Sequence, residues 1–478
     1  MTLSTKPIWQ WSATETVAAI AHKKITVKHV ISEHVDRMRA VNGRINAITI
    51  DRGDIAIIEA EKADELLASC GEIGPLFGLP ITIKHNVDVE GFPNSNGVPA
   101  LQTLIAAEDT PLVERFRNAG AIVIGLTNVP EFSLRAMTDN PIYGLTLNPW
   151  DEDVTCGGSS GGAGAALAAG VGSLAHGNDI GGSLRWPAYC NGVHTIRPTF
   201  GRVAAYNATA SAERSLFSQL MSVQGPMART VDDLKLGLEI MTGFDARDPW
   251  SVPAPLNGDG RSLPKRVAMI DLAKTTDLAP SVRASLEKTA EALRKSGYDV
   301  SCPPMPDISI PFQAWFDVMT TEIQTLQWDT MQTAGSDKIL KVLNGYFSIG
   351  KLLDLKGYMT LAAERSAMIR EWLLFLEEYP LILTPVSTIG SIPVDADLKG
   401  HDAVAHLANS LRFTTAINFL GLPAIVSPID MENGRPVGVQ LISTRYREDI
   451  CLEAAKNVEN QLGEFYDRFQ FPQINNEH

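Results

Sequence analysis

Apolar residues recur at two different periods along this chain of 478 residues. Spacings of three and four residues, typical of an amphipathic helix, cover 12–40, where Ser12 is the predicted N-cap and Glu15 follows three residues later. Short apolar runs, typical of buried strands, alternate with further helical stretches. These elements are a strand over 47–50, a helix over 54–69, a strand over 79–83, a helix over 111–119 and a strand over 121–124. Such alternation predicts an α/β fold.

The alternation returns in the second half of the chain. It predicts a strand over 267–270, a helix over 281–295, a strand over 381–384, a helix over 404–419, strands over 424–428 and 437–442, and a last helix over 448–462. Residues 311–379 are mostly helical in pattern, and 248–265, rich in proline and glycine, are predicted to be an exposed connection. Strand-like runs lie on both sides of that connection. We therefore expect one domain over 1–478, with a mainly helical insertion at about 311–379.

Composition and charge exclude several classes of protein. Hydrophobic residues make up 45% and charged residues 20%, an ordinary globular composition. The net charge of −14 argues against binding to nucleic acid or to an anionic membrane. The five cysteines are widely separated and form no C-x-x-C pair, which argues against disulfides and zinc and favours a reducing cytoplasm. The N-terminus lacks the apolar core of a signal peptide, and 161–176, too short for a membrane span, indicates a buried helix.

Glycine is most concentrated in residues 156–198, where two serines lie inside glycine clusters. Backbone of this kind makes sharp turns or approaches a ligand closely; tight turns around a buried helix are the alternative. The G-x-S-x-G pattern of hydrolases fits around both Ser159 and Ser160, but it is a weak signal in such a run. G-x-G-x-x-A from Gly170 follows an alanine-rich helix where a dinucleotide site requires a strand. Neither a P-loop nor H-E-x-x-H occurs, so neither a phosphate site nor a metal is expected.

Further motifs lie on both sides of this segment. They are GLPITIKHN (78–86), GLTNVPEF (125–132), GLTLNPW (144–150), RPTFGRV (197–203), SVQGPMART (222–230), GLPAIVSP (421–428) and PVGVQLIS (436–443). Together with the glycine-serine segment, and in this order, they resemble the amidase signature family of serine amidohydrolases. The resemblance implies an α/β fold with a large mixed, twisted β-sheet covered by helices on both faces. It also implies no cofactor, and a homodimer, as in many relatives.

The resemblance further implies a Ser–Ser–Lys catalytic triad. Lys84 matches the buried lysine, Ser159 the bridging serine, which follows a cis peptide bond in the family, and Ser183 the nucleophile. A lysine can act as a base only when it is uncharged, so its pKa of about 10.4 must be lowered by burial or by neighbouring cations. The apolar strand 79–83 supplies that burial. Ser159 would then pass the proton of Ser183 to Lys84 and return it to the leaving amine.

Other residues of the segment receive roles from the same resemblance. The backbone N–H groups of Ile180, Gly181, Gly182 and Ser183 match the oxyanion hole, and the two glycines let the substrate carbonyl come close. Ser133 is expected at the substrate site. Further expectations concern neighbours of the triad: Ser160 as a donor to it rather than a turn residue, Asp179 and Arg185 in structural roles, and Trp186 in the pocket wall or the core.

The chain departs from the family pattern close to the catalytic lysine. His85 stands where the family usually has Asp, and Asn178 where it commonly has Thr. Both changes affect the surroundings of Lys84 and indicate a specialised amidase. Trp315, Phe316 and Trp328 belong either to the core or to the pocket. In the pocket they would favour an aryl or hydrophobic acyl amide, or a carbamate.

Three functions are compatible with these motifs. The first is a stand-alone amidase that hydrolyses a small-molecule amide to acid and amine through an acyl-enzyme. The second is the glutaminase subunit of a tRNA-dependent amidotransferase, which resembles the same family and passes ammonia to partner subunits. The third, a ligand-binding relative without catalysis, is disfavoured, because a dead enzyme has no need of a lysine that is costly to desolvate.

Overall fold

A single mixed sheet of eleven strands forms the centre of the protein, whose computed structural model describes residues 4–69, 71–258 and 260–474. The strands are β1 Ile48–Asp51, β2 Pro80–Lys84, β3 Ile122–Thr127, β4 Leu174–Asp179, β5 His194–Arg197, β6 Val223–Ala228, β7 Arg266–Met269, β8 Asp299–Ser301, β9 Leu381–Pro385, β10 Ala424–Glu432 and β11 Arg435–Ser443. Their order in the sheet is β1-β3-β2-β4-β6-β5-β10-β11-β9-β7-β8. The predicted α/β fold with a large mixed sheet is confirmed.

Seventeen α-helices are found among the described residues. They are α1 Ala13–Ala21, α2 Val27–Ile45, α3 Gly53–Ala68, α4 Pro111–Asn118, α5 Gly161–Ala168, α6 Arg185–Asn191, α7 Leu216–Met221, α8 Val231–Met241, α9 Pro280–Lys295, α10 Ser309–Glu322, α11 Trp328–Ala334, α12 Asp337–Ile349, α13 Leu355–Glu378, α14 His401–Ser410, α15 Arg412–Leu420, α16 Glu448–Leu462 and α17 Phe465–Phe469. None of these helices is long and apolar enough to cross a bilayer. The predicted helical character of 311–379 is confirmed by α10–α13.

The predicted first helix, 12–40, is two helices. Ser12 caps α1 as expected: its side chain accepts the N–H of Glu15, and the Glu15 side chain accepts the N–H of Ser12. The helix ends because Lys23 adopts a left-handed backbone with φ of 54°, and α2 starts after a new N-cap, Thr26. The predicted helix 404–419 is likewise divided, into α14 and α15, at Leu411, whose φ and ψ of −97° and 12° are not helical.

The expectation of one buried helix over 161–176 was wrong in its second half. Helix α5 ends at Ala168, and the chain turns through Gly170 and Gly172, whose φ angles of 84° and 74° no helix accommodates. Strand β4 then begins at Leu174. The predicted connection 248–265 contains no helix or strand in its described part, and residue 259 lies outside that part.

The sheet brings the ends of two parallel strands together. Strands β2 and β4 are neighbours, with Ile81 opposite Leu174 and Thr82 opposite Ala175. The carboxyl ends of parallel strands meet at the same edge of a sheet, where crossover connections leave room for a ligand. The last residue of β2, Lys84, therefore lies beside the last residues of β4.

Candidate active site

Lys84 is completely buried and lies against two polar side chains. Its Nζ is 2.7 Å from Ser159 Oγ and 2.6 Å from Asn178 Oδ1. Burial holds the pKa of Lys84 well below its ordinary value, and the field of the Asp179 carboxylate opposes this only in part. No carboxylate forms an ion pair with Lys84 among the described residues. The amine is thus placed to accept a proton.

The hydrogen bonds around Lys84 show which partner its N–H groups and its lone pair have. A neutral amine has two N–H donors and one lone pair, and Asn178 Oδ1 accepts one of the donors. The orientation of the Asn178 amide follows from its second bond, in which Nδ2 donates to Asn86 Oδ1 at 2.8 Å. With the amide in this orientation, the lone pair of Lys84 is available to accept the hydroxyl proton of Ser159.

A chain of amide and hydroxyl groups continues from Asn178 to the mouth of the site. Asn86 Nδ2 donates to Ser133 Oγ at 2.9 Å, and the Ser133 hydroxyl donates to Asn96 Oδ1 at 2.6 Å. Ser133 has a positive φ of 55°, a conformation that non-glycine residues adopt rarely and mainly where the surrounding structure holds it. The Asn96–Ser133–Asn86–Asn178 chain thus supports Lys84 without adding a charge.

Two histidines next to Lys84 are neutral. Burial lowers the pKa of His85 to about 4 and that of His176 to about 3. His176 Nδ1 accepts the backbone N–H of Lys84 at 3.4 Å, and its Nε2 lies 2.8 Å from Gln224 Oε1. His85 faces the carbonyl of Pro93 instead. The departure at His85 therefore leaves the lysine with no carboxylate at the next position along the chain.

Asp179 stabilises the loop that carries Ser183, residues 179–185, through hydrogen bonds and an ion pair. The Asp179 carboxylate accepts the N–H groups of Gly182 at 2.8 Å and Leu184 at 3.2 Å, and it pairs with Arg185 at 3.0 Å. Both partners of this pair are fully buried. Burial opposes ionisation, but the Arg185 guanidinium holds the pKa of Asp179 below its usual range. The positions of Asp179 and Arg185 fit the structural roles predicted for them.

The number of N–H groups free for an oxyanion differs from the expectation. The backbone N–H groups of Ile180, Gly181 and Ser183 have no acceptor within the described part of the chain. The N–H of Gly182 is bonded to Asp179 and is not free. The described loop therefore offers three donors and not four.

Neither glycine of this loop leaves room for a side chain. A Cβ at Gly181 would lie 2.8 Å from Trp315, and one at Gly182 would lie 2.7 Å from Thr414. Gly182 also has a positive φ of 114°, a region that only glycine adopts readily.

The two serine motifs meet at the loop. The N–H of Ser160 donates to the carbonyl of Ser183 at 3.2 Å, and the cis peptide bond Gly158–Ser159 precedes the serine that faces Lys84. Ser160 Oγ donates to the carbonyl of Asn178 at 3.3 Å, next to the lysine. The structure thus brings the predicted residues Lys84, Ser159 and Ser183 to one place.

An apolar pocket, which we call the acyl pocket, opens from Ser183 beneath the helical insertion. It encloses about 740 Å³ of empty space, its mouth included. The apolar and aromatic side chains around it are those of Leu134, Trp186, Trp315, Phe316, Met319, Ile323, Tyr346, Phe347, Leu407 and Leu411. Trp315 Nε1 donates to the carbonyl of Ile180 at 2.7 Å, so the pocket wall also supports the loop 179–185. Among the described residues at its border, the one charged side chain is that of Arg135, which is paired with Asp395 and Asp397.

The structure shows which of the aromatic residues line the pocket, a question that the sequence left open. Trp186, Trp315 and Phe316 line the acyl pocket, whereas Trp328 packs edge-on against Phe347 outside its lining. Sequence reasoning gave no role to Asn86 and Asn96. The signal available for Asn86 was its place in the block ITIKHN, two residues after the lysine. Among the described residues, no group of three or more His, Cys, Asp or Glu could hold a metal ion.

Comparison with known proteins gives long matches. The Amidase family model matches residues 29–452. Indoleacetamide hydrolase of Bradyrhizobium diazoefficiens is 50% identical over 459 residues, which are 96% of this chain and 87% of that protein. A glutamyl-tRNA(Gln) amidotransferase subunit from Alkaliphilus metalliredigens is 30% identical, over 93% of this chain and 94% of that protein. The structure of 6-aminohexanoate cyclic dimer hydrolase complexed with substrate superposes with a TM-score of 0.82 at 26% identity, covering 98% of this chain and 100% of that one.

These matches cover the parts of the chain that contain the motifs and the candidate active site. The amidotransferase subunit is the more distant of the two relatives, and both align over nearly the whole chain. The chain belongs to the amidase signature family and is a hydrolase of carbon–nitrogen amide bonds.

Proposed function

We propose that the protein hydrolyses the amide of an arylacetic acid, with indole-3-acetamide as the first candidate substrate. The observation that carries this proposal is the acyl pocket. Ser183 lines this pocket together with several aromatic side chains. The relative with 50% identity is named for indoleacetamide, an amide that combines a planar aromatic acyl group with the smallest leaving group.

The proposed chemistry uses Ser183, Ser159 and Lys84 in turn. Ser183 Oγ attacks the carbonyl carbon while its proton passes to Ser159, and the proton of Ser159 passes to Lys84. The oxyanion receives hydrogen bonds from the N–H groups of Ile180, Gly181 and Ser183, each of which contributes about 10²–10³ in rate in comparable sites. The tetrahedral intermediate then collapses, the C–N bond breaks, and Lys84 returns the proton through Ser159 to the nitrogen. Water hydrolyses the acyl-enzyme by the same route.

The acyl pocket favours an aromatic acyl group over an amino acid. An indole ring buries apolar area against Trp315 and Phe316, and well-oriented aromatic pairs add about 0.5–1.5 kcal/mol each. Glutamine would bring an ammonium and a carboxylate into the same pocket, and Arg135 is already paired with three aspartates, Asp139, Asp395 and Asp397. This argues against the alternative function as a glutaminase subunit.

A panel of four amides tests the proposal. The catalytic efficiency kcat/KM is measured for indole-3-acetamide, phenylacetamide, acetamide and glutamine, with the Ser183→Ala variant as the inactive control. We expect the two aromatic amides to exceed acetamide by about a hundredfold or more, since burial of a ring contributes about 3 kcal/mol. Highest efficiency with acetamide or with glutamine would refute the proposal. A cytoplasmic location, a single domain and a homodimer stay predictions from the sequence.

A further inference from the structure

The five most exposed large apolar side chains of the described residues all belong to the helical insertion. They are those of Leu326, Leu352, Leu355, Met359 and Leu374, and each is 60–76% exposed. Single exposed apolar side chains are ordinary on protein surfaces, whereas a group of them marks an interaction surface. The insertion therefore carries an apolar surface that the described part of the chain leaves uncovered.

Most of this surface is one face of α13. Spacings of three and four residues place six exposed residues on that face: Leu355, Met359, Ala363, Ser366, Arg370 and Leu374. The opposite face of the helix buries Ile369, Trp372 and Leu376. We call these six exposed residues, together with Leu326 and Leu352, the α13 surface.

Contacts with α10 widen the α13 surface at the beginning of the helix. Tyr358 Oη donates to Glu322 Oε1 at 2.7 Å, and the N–H of Leu353 donates to Thr321 Oγ1 at 3.0 Å. Leu326 follows Glu322 by about one helical turn, and Leu352 precedes Leu353 directly. Both leucines therefore lie beside the first turns of α13.

The two ends of α13 carry opposite charges. Residues 351–360 contain two lysines and one aspartate, whose carboxylate caps the helix by accepting the N–H of Gly357. Residues 370–378 contain three glutamates and one arginine. Two such helices are complementary in charge when they run antiparallel, because the basic end of each then lies beside the acidic end of the other.

We propose that the α13 surface joins two copies of this chain in a homodimer, with the two α13 helices antiparallel. A two-fold axis close to residues 364 and 365 brings the Leu355 end of each helix to the Leu374 end of the other. Ala363 and Ser366 lie near the axis, and their small side chains let the helices approach closely. Every contact in such an interface occurs twice.

The dimensions of the α13 surface agree with a stable dimer. The 24 residues of α13 extend over about 36 Å. A band of this length buries about 800 Å² per copy, the ordinary size of a specific interface, when it is about 22 Å wide. One helix with its side chains supplies about 10–12 Å of that width. Leu326 and Leu352 widen one end, and the second copy supplies the same pair at the other end.

A lipid surface fits the α13 surface less well than a second copy does. Helices that lie on membranes carry mainly lysine and arginine on their polar face, which anionic headgroups attract. The exposed side of α13 instead includes Glu364, Glu371, Glu377 and Glu378, and the whole chain has a net charge of −14. Anionic headgroups would repel this arrangement.

Sedimentation velocity between about 0.5 and 50 µM protein tests the proposal. We expect the wild type to sediment with twice the mass of the chain. Leu355→Glu and Leu374→Glu should each raise the dimer Kd about a hundredfold or more, because the two-fold axis removes every lost apolar contact twice. Equal effects at opposite ends of one helix are expected only for the antiparallel arrangement.

Ile58→Glu is the matched control. Ile58 is an exposed apolar residue of α3, which packs near β3 at one end of the sheet, whereas α13 packs near β7 and β9 at the other. This variant should keep the wild-type Kd, and unchanged near-UV circular dichroism should show that all three variants are folded. A monomeric wild type at about 50 µM, or a dimer that survives Leu355→Glu, overturns the proposal. A monomer that sediments with phosphatidylcholine vesicles overturns it in favour of a lipid surface.

A charge exchange tests the direction of the helices separately. Lys356→Glu should weaken the dimer about fivefold or more, because it places like charges beside Glu371 of the second copy. Adding Glu371→Lys should restore the Kd to within about twofold of the wild type. A double variant that dimerises no better than Lys356→Glu contradicts the antiparallel arrangement.

Discussion

Replacing Asn178 by aspartate tests whether Lys84 acts as a neutral base. The two side chains have the same shape, so Asn178→Asp puts a carboxylate oxygen where Oδ1 now lies, 2.6 Å from Lys84 Nζ. At that distance and an effective dielectric constant of about 20, opposite charges attract by about 6 kcal/mol. Even if relaxation leaves a third of this, about 2 kcal/mol, the ratio of ammonium to neutral amine at Lys84 rises about thirtyfold at any given pH.

The sign of the effect fixes the expected pH profile. A new carboxylate favours the ammonium form and raises the pKa of Lys84, so the active, neutral form is regained only at higher pH. We expect kcat for indole-3-acetamide to fall at pH 7, by up to about thirtyfold for a shift of 2 kcal/mol, and to recover as the pH is raised toward about 10.

Asn178→Thr is the uncharged control for this substitution. It removes the amide contact and keeps the wild-type position of the pH profile. An aspartate variant with the wild-type rate at neutral pH, or with an equal loss at every pH, would refute the reasoning.

Three further results follow from the site and from the buried histidines. Gly181→Ala should lower kcat/KM by about a hundredfold or more, because its Cβ would lie 2.8 Å from Trp315 and displace an oxyanion donor; an unchanged rate of amide hydrolysis contradicts this. Arg185→Met should destabilise the fold by about 3–5 kcal/mol in urea unfolding, since it leaves the Asp179 carboxylate buried without its cation; a loss below about 1 kcal/mol would contradict it. Burial lowers the pKa of His34 to about 3, that of His85 to about 4 and that of His176 to about 3, below the unfolded value near 6.5, so these three histidines resist protonation only while the protein is folded. The free energy of unfolding should therefore fall as the pH falls from about 6.5 to 4, by up to about 4 kcal/mol per pH unit, and a flat profile would refute this.

The sequence predicted which candidate catalytic residues lie together better than it predicted their surroundings. Lys84, Ser159 and Ser183 stand in motifs that resemble those of the family only when they are taken together and in their order along the chain. Strand β4 was missed because its sequence, LAHGND, lacks an apolar run, and its strand conformation depends on pairing with β2 and β6.

Contacts between distant parts of the chain could not be predicted from periodicity. Asn86 and Asn178 are 92 residues apart, and they meet only because β2 and β4 lie side by side in parallel. The aromatic residues of α10 recur as they would in any buried helix. Only the packing of α10 over the loop 179–185 shows that Trp315 belongs to a pocket wall.

The most direct test of the proposed mechanism is to identify the serine that carries the acyl group. An activated ester of indole-3-acetic acid is mixed with the enzyme, the reaction is quenched in acid within milliseconds, and the peptides are mapped by mass spectrometry. We expect one indoleacetyl group on Ser183, which is absent in Ser183→Ala and accumulates more slowly in Lys84→Ala. An acyl group on Ser159 or Ser160, or turnover that persists in Ser183→Ala, would contradict the assignment of the nucleophile.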